Sequence, residues 1–142
     1  MSSNVLSRTL AIKERLRKWK RAELIAADGE VARAQGQVEE QTARHDLATS
    51  AITAQGEVSA NELALSAEQV AREQEALKLA RAALAAREGE RETSREVAGE
   101  ATREAKAIEV LHERMLVEQR REAGVREQRD ADENSARKRR KL

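Results

Sequence analysis

Small and apolar side chains recur every seven residues through the first part of the chain, and a second set follows each of them three positions later. This spacing is typical of the a and d positions of a coiled coil, which pack against a partner helix. It predicts a first helix over about residues 4–55. The first set is Leu24, Val31, Val38, His45 and Ile52, and the second set is Ala27, Ala34, Gln41, Ala48 and Gln55.

A second heptad series runs through the later part of the chain. Ala, Leu, Glu and Arg, all strong helix formers, are abundant there. The pattern predicts a second, longer helix over about residues 62–136, followed by a basic tail at 137–142. The series is Leu63, Val70, Leu77 and Leu84, continuing after Arg91 as Ala98 and Ala105 and then, at steps of three and four, as Ile108, Leu111 and Met115.

The bend between the two helices is predicted at about residues 56–61. Gly56 can adopt the left-handed backbone conformation that often ends a helix. Ser59 and Glu62 match the S-x-x-E capping box that often starts one. We therefore expect the chain to reverse at this point, which predicts an all-α fold: an antiparallel two-helix coiled-coil hairpin with a longer second helix.

The positions of the two heptad series fit such a reversal. In an antiparallel pair the numbers of facing residues add to a constant, which here lies near 115–118. Val38 would then face Leu77. Trp19 would lie near Val97 and Gly99, where the missing Cβ would leave room for the indole. Both termini would lie at the same end of the hairpin.

The composition excludes most kinds of catalytic or metal site. The chain has 142 residues, of which 37% are charged, with a single aromatic residue and no Cys. A compact aromatic core, a disulfide framework and a thiolate metal site are therefore excluded. His45 and His112 would lie far apart, and carboxylates on solvated helix faces have no pocket that could shift their pKa. We expect no enzymatic activity, no metal and no cofactor.

The sequence also predicts a soluble protein. No stretch is apolar enough for a secretory signal, and none approaches the roughly 20 apolar residues of a membrane span. The absence of Cys fits a reducing compartment. We therefore expect a cytoplasmic location.

Charge is distributed unevenly along the chain. Residues 1–21 carry a net charge of +6, residues 115–142 carry +3, and the residues between them carry −8. Trp19, the only aromatic residue, lies within the first basic segment. The hairpin would bring the basic ends together, and the helix beyond about residue 115 would have no partner, so its aliphatic side chains would need another surface. We therefore expect a partner-docking surface at this end.

Other interpretations of the basic ends stay open. Trp19 could simply fill the seam, with its basic neighbours forming a solvated helix face. The sequence RKRRKL at 137–142 fits a nuclear-import signal, a nucleic-acid patch or an ordinary charged terminus, although nucleic acid is disfavoured because stacking aromatics are missing. Two straight copies could also pair in parallel as a structural rod whose basic tails bind nucleic acid or membrane. Alternatively, the helices could form only inside an assembly.

The segment IEVLHERMLVEQRREAGVREQRDADENSARKRRKL, residues 108–142, resembles the end of the FliJ/YscO family of type III secretion stalk proteins. The resemblance extends over essentially the whole chain, from its basic start to its longer second helix. It implies an antiparallel coiled coil, similar to the γ-subunit stalk of rotary ATP synthases, that inserts the end bearing both termini into the hexameric secretion ATPase. The opposite tip would reach the export gate, and the protein would promote ATPase assembly and hydrolysis and escort export chaperones.

The resemblance also implies a location and a set of ring-facing residues. The protein would be cytoplasmic and peripheral to the inner-membrane secretion apparatus. Because the tip around residues 41–74 has no aromatics, unlike that of flagellar members, a virulence or specialised system is favoured over the flagellar one. The residues expected to face the ATPase ring are Arg15, Leu16, Arg17, Lys18, Trp19, Lys20 and Arg21, together with Met115, Leu116, Arg120, Arg121 and Arg126 of the unpaired helix.

Overall fold

The computed structural model describes residues 2–141 and contains two α-helices. Helix α1 spans Ser3–Ala54 and helix α2 spans Ala60–Arg140, which gives lengths of 52 and 81 residues. The described residues contain no β-strand. The prediction of an all-α helical hairpin with a longer second helix is therefore confirmed.

A serine caps the start of each helix. The Ser2 hydroxyl oxygen accepts a hydrogen bond from the Val5 backbone N–H at 3.3 Å. The Ser59 hydroxyl oxygen accepts one from the Glu62 backbone N–H at 3.2 Å, as the capping box predicts. These bonds satisfy backbone donors that have no partner within the first turn of a helix.

The bend occupies residues 55–59. The prediction that Gly56 adopts a left-handed conformation is wrong, because no described residue has a positive φ. The helix therefore ends without the tight left-handed closure that glycine permits, and Ser59 starts the next helix directly.

The end of α2 also differs from the prediction. The second helix was predicted to end at about residue 136, before the basic tail, whereas residues 137–140 continue the helix. The Lys141 N–H donates to the Arg137 carbonyl at 3.2 Å. Lys and Arg are good helix formers, and their charges are favourable at the negative end of the helix dipole. Leu142 lies outside the described residues.

Helix pairing divides the chain into two compact units. The bend unit comprises residues 19–98 and includes the turn between the helices. The terminal unit comprises the residues up to Lys18 and those from Gly99 onward. Each unit contains one segment of α1 and one segment of α2.

The heptad seam of α1 is confirmed within the bend unit. Val31 is 1% exposed and Ala34 is 6% exposed, and all ten predicted seam positions from Leu24 to Gln55 are buried or half-buried. On α2, Leu77 is 6% exposed, whereas Leu63 is 47% exposed. Leu63 was expected in the seam, but it lies only four residues after the bend.

Polar contacts within the bend unit establish antiparallel pairing. The Gln41 side chain donates hydrogen bonds to Glu73, and the Gln55 amide donates to the Ser66 hydroxyl at 3.0 Å. The residue numbers of both pairs add to within a few residues of the predicted constant. The bend unit is therefore an antiparallel helical hairpin, and its two contacts lie on either side of the predicted register.

The terminal unit has the same antiparallel arrangement. Lys13 Nζ lies 2.9 Å from a carboxylate oxygen of Glu104 on the facing segment. Among the described residues of this unit, the buried side chains are one large one, Leu6 at 3% exposed, and two small ones, Ala101 and Ala105, at 5% and 1%. Leu111, predicted in the seam, is 48% exposed, and His112, seven residues after Ala105, is half-buried instead.

Candidate partner-docking surface

Cations occupy part of the coiled-coil seam in the terminal unit. Lys13 and Arg17 are half-buried, and the register of the Lys13–Glu104 pair sets them opposite Ala101 and Ala105. The alkyl stem of a lysine or arginine can cover small apolar side chains while its charged group reaches water. The burial of Lys13 and Arg17 in this unit is consistent with such coverage of Ala101 and Ala105.

The seam cations already have carboxylate partners within their own units. Arg17 forms an ion pair with Glu14 at 2.9 Å, and in the bend unit the half-buried Lys20 pairs with Glu23 at 3.3 Å. Such solvent-accessible pairs contribute at most about 1 kcal/mol each. Arg17 and Lys20 were both expected to face a partner, but part of each side chain serves the coiled coil.

A different subset of the basic run is exposed. Arg15 and Lys18 of the terminal unit are exposed, as is Arg21 of the bend unit, whereas Leu16 is half-buried. The described residues include no ion-pair partner for any of these three cations. They are the positive charges of this segment that are free to meet an acidic partner.

Trp19 lies outside the seam. Its side chain is 65% exposed in the bend unit, with Lys20 Nζ 5.8 Å from the ring centroid, within the range of a cation–π contact. A Cβ added at Gly99 would meet only the Arg103 side chain, at 3.6 Å. The exposure of Trp19 contradicts the prediction that the indole is packed near Val97 of the same unit. The heptad phase explains why Trp19 is exposed, because the seam positions in this part of α1 are Arg17 and Lys20.

This division could have been found from the sequence. Counting back seven residues from Leu24 gives Arg17, and counting back seven from Ala27 gives Lys20 and then Lys13. The heptad phase therefore identifies the seam cations, although charge alone suggests that the whole basic run forms one surface. The sequence interpretation extended the apolar series only from Leu24 onward and did not separate the two groups.

The unpaired end of α2 is fully exposed. All residues from 117 to 141, here called the overhang, are exposed, whereas Met115 and Leu116 just before it are half-buried. Val117 and Val125 are 62% and 48% exposed. The prediction that the helix beyond about residue 115 has no partner in the chain is confirmed for the described residues.

The three overhang arginines predicted to face a partner are all exposed. Arg121 pairs with Glu118 at 2.8 Å, and this hydrogen bond and charge interaction raise the pKa of Arg121 above its ordinary value. No ion pair within the described chain involves Arg120 or Arg126. These two arginines keep their full hydrogen-bonding capacity for another molecule.

The described residues contain no group of three or more His, Asp or Glu side chains placed to hold a metal ion. Within the same residues, neither helix has a stretch apolar enough to cross a lipid bilayer. Comparisons with models of protein families, with curated proteins and with solved structures found no match to this chain.

Proposed function

We propose that this chain is a non-enzymatic stalk of a type III secretion system that docks on the hexameric secretion ATPase. It would promote assembly and hydrolysis by the ring, link the ring to the export gate and escort secretion chaperones. The observation that carries the proposal is the overhang, a helix exposed over residues 117–141 that begins beside two half-buried apolar side chains. The resemblance of residues 108–142 to secretion stalk proteins supports it.

Electrostatic attraction supplies the first step of the proposed docking. Arg15 and Lys18 of the terminal unit would be attracted to an acidic surface on the ring and increase the rate of encounter. The three arginines Arg120, Arg121 and Arg126 of the overhang would do the same. Charges at the rim of an interface act mainly on the association rate and on its salt dependence. Docking should therefore slow as ionic strength rises, because the Debye length falls from about 10 Å at 0.1 M to about 3 Å at 1 M.

Burial of apolar surface supplies the second step. Met115 and Leu116 are half-buried in the free chain, and Trp19 is 65% exposed. Trp and Arg are the residues most often found at the energetic centre of protein interfaces, where truncation costs at least about 2 kcal/mol. Trp19 is thus the side chain whose removal should weaken docking most without disturbing the seam.

The proposed link to the export gate uses the bend unit. Leu47 and Leu65 are 71% and 63% exposed, on the two helices that meet at the bend. Exposed aliphatics of this size can support a weak or transient contact. The protein would in this way act in the cytoplasm at the periphery of the inner-membrane apparatus and bind both the ATPase and the gate.

The proposal is tested by stimulation of ATP hydrolysis in the purified secretion ATPase of the same organism. Changing the exposed cations Arg15, Lys18 and Arg21 to Glu should abolish stimulation. A matched control changes three exposed cations of the bend unit, Arg72, Lys78 and Arg81, to Glu and alters the net charge equally. The control should stimulate like the unchanged chain. Full stimulation by the first variant, or equal loss in both, would contradict the proposed surface.

A further inference from the structure

Five consecutive cations cover the end of α2. They are exposed, the helix continues through Arg140, and the described part of the chain offers none of the five side chains a hydrogen bond or an ion pair. They lie beyond the residues assigned to the proposed ATPase contact. The set, here called the basic cap, is Arg137, Lys138, Arg139, Arg140 and Lys141.

The positive charge of the overhang is concentrated in this cap. Residues 117–136 carry four cations and six acids, a net charge of −2, whereas residues 137–141 carry +5. Five helical residues span only about 6 Å along the axis, which is less than the Debye length of about 8 Å at physiological ionic strength. The cap therefore acts on its surroundings as one concentrated positive charge. The net charge of the helix just before it, residues 117–136, is negative.

The arrangement of the cap around the helix limits the surfaces that it fits. Successive residues of an α-helix are rotated by about 100°, so five in a row point in all directions around the axis. A helix that lies in a groove, or flat on a surface, needs its charges on one face. A flat approach would also bring the net negative residues 117–136 against the same anionic surface. The cap instead fits a planar negative surface approached by the end of the helix.

We propose that the basic cap binds the surface of a membrane that contains anionic phospholipids, with the end of α2 meeting the headgroups. A bilayer leaflet is planar and negatively charged, and each Lys or Arg near it increases binding by about fivefold. Nucleic acid is the less favoured partner, because its phosphates follow a groove and α2 contains no Phe, Tyr or Trp to stack on bases. The inference does not depend on the proposed role at the ATPase.

The binding should be electrostatic and reversible. Insertion of apolar side chains next to the cap is limited to Leu142 after it, because the two residues before the cap are the polar Ser135 and the small Ala136. Removing all five charges should weaken binding by roughly three orders of magnitude, because five fivefold contributions multiply. Raising the ionic strength should release the protein, because screening shortens the reach of the cap.

The test is flotation of the full chain with vesicles. One set contains phosphatidylglycerol and phosphatidylcholine in a ratio of one to two, and the other contains phosphatidylcholine alone. The cap variant changes all five cap residues to Gln and lowers the net charge from +1 to −4. The control variant makes the same net change at exposed positions of the bend unit. Its substitutions are Arg44→Gln, Arg72→Gln, Lys78→Gln, Arg81→Gln and Arg95→Gln.

The unchanged chain and the control should float with the anionic vesicles at low salt and not at high salt, while the cap variant should stay in solution. Circular dichroism checks that all three chains are equally helical. Equal binding to vesicles of phosphatidylcholine alone, unchanged binding of the cap variant or equal loss in the control would each overturn the proposal. So would tighter binding of the unchanged chain to a DNA duplex than to anionic vesicles, because the cap would then be a nucleic-acid surface.

Discussion

Val31 offers the most direct test of the seam, because at 1% exposed it is the most completely buried branched side chain of the described residues. Replacing it with Ala removes two methyl groups, whose transfer to water costs about 1.6 kcal/mol. The incompletely filled space that remains in the seam raises the expected loss to about 2–3 kcal/mol. For a unit of this size, such a loss corresponds to a fall in Tm of about 10 °C or more.

The matched control is Val125→Ala in the overhang, where the same side chain is 48% exposed. Ala has the higher helix propensity, so this change should leave the stability unchanged or raise it by a few tenths of a kcal/mol. Thermal and urea unfolding followed by circular dichroism at 222 nm measure both variants. If Val31→Ala costs less than about 0.5 kcal/mol, or no more than the control, Val31 is not a buried seam residue.

Three further changes test the bend, the seam register and the exposed indole. Ser59→Ala should destabilise the start of α2 by about 1 kcal/mol in urea unfolding, since it removes the capping bond, and Ser59→Asp should restore the loss. A short bismaleimide should join cysteines placed at Gln41 and Glu73 within one chain. It should not join cysteines placed at Gln41 and Glu96. Cross-linked products of twice the chain mass would instead indicate parallel pairing of two copies. Trp19→Ala should change the free energy of unfolding by less than about 0.5 kcal/mol, because the indole is exposed, and a larger loss would show that it packs internally.

The heptad period was sufficient to predict the seam of α1. Every a and d position from Leu24 to Gln55 is withdrawn from solvent, including the polar His45 and Gln41. The period works here because a side chain in a two-helix pair is buried by its angular position on the helix, whatever its polarity. For the same reason His112 is half-buried while Leu111 remains 48% exposed.

The features that could not be predicted are local ones that the period does not determine. Leu63 has the correct phase but lies beside the bend and is 47% exposed. The left-handed conformation expected of Gly56 depends on how the turn closes, and glycine permits that conformation without requiring it. The helical state of the basic cap follows from propensity and the helix dipole, which an interpretation based on charge runs does not weigh.

The heptad phase also determines how the basic run before Leu24 must be studied. Arg17 and Lys20 have positions in the seam and pair with Glu14 and Glu23, so replacing them changes the packing as well as the surface charge. A variant that reverses the whole run would therefore lose partner binding whether the run docks or merely stabilises the coiled coil. Substitutions of the exposed cations alone avoid this ambiguity, because they leave Arg17 and Lys20 and their carboxylate partners unchanged. Docking can thus be assigned to this segment only when such a variant keeps its full helicity and loses its partner.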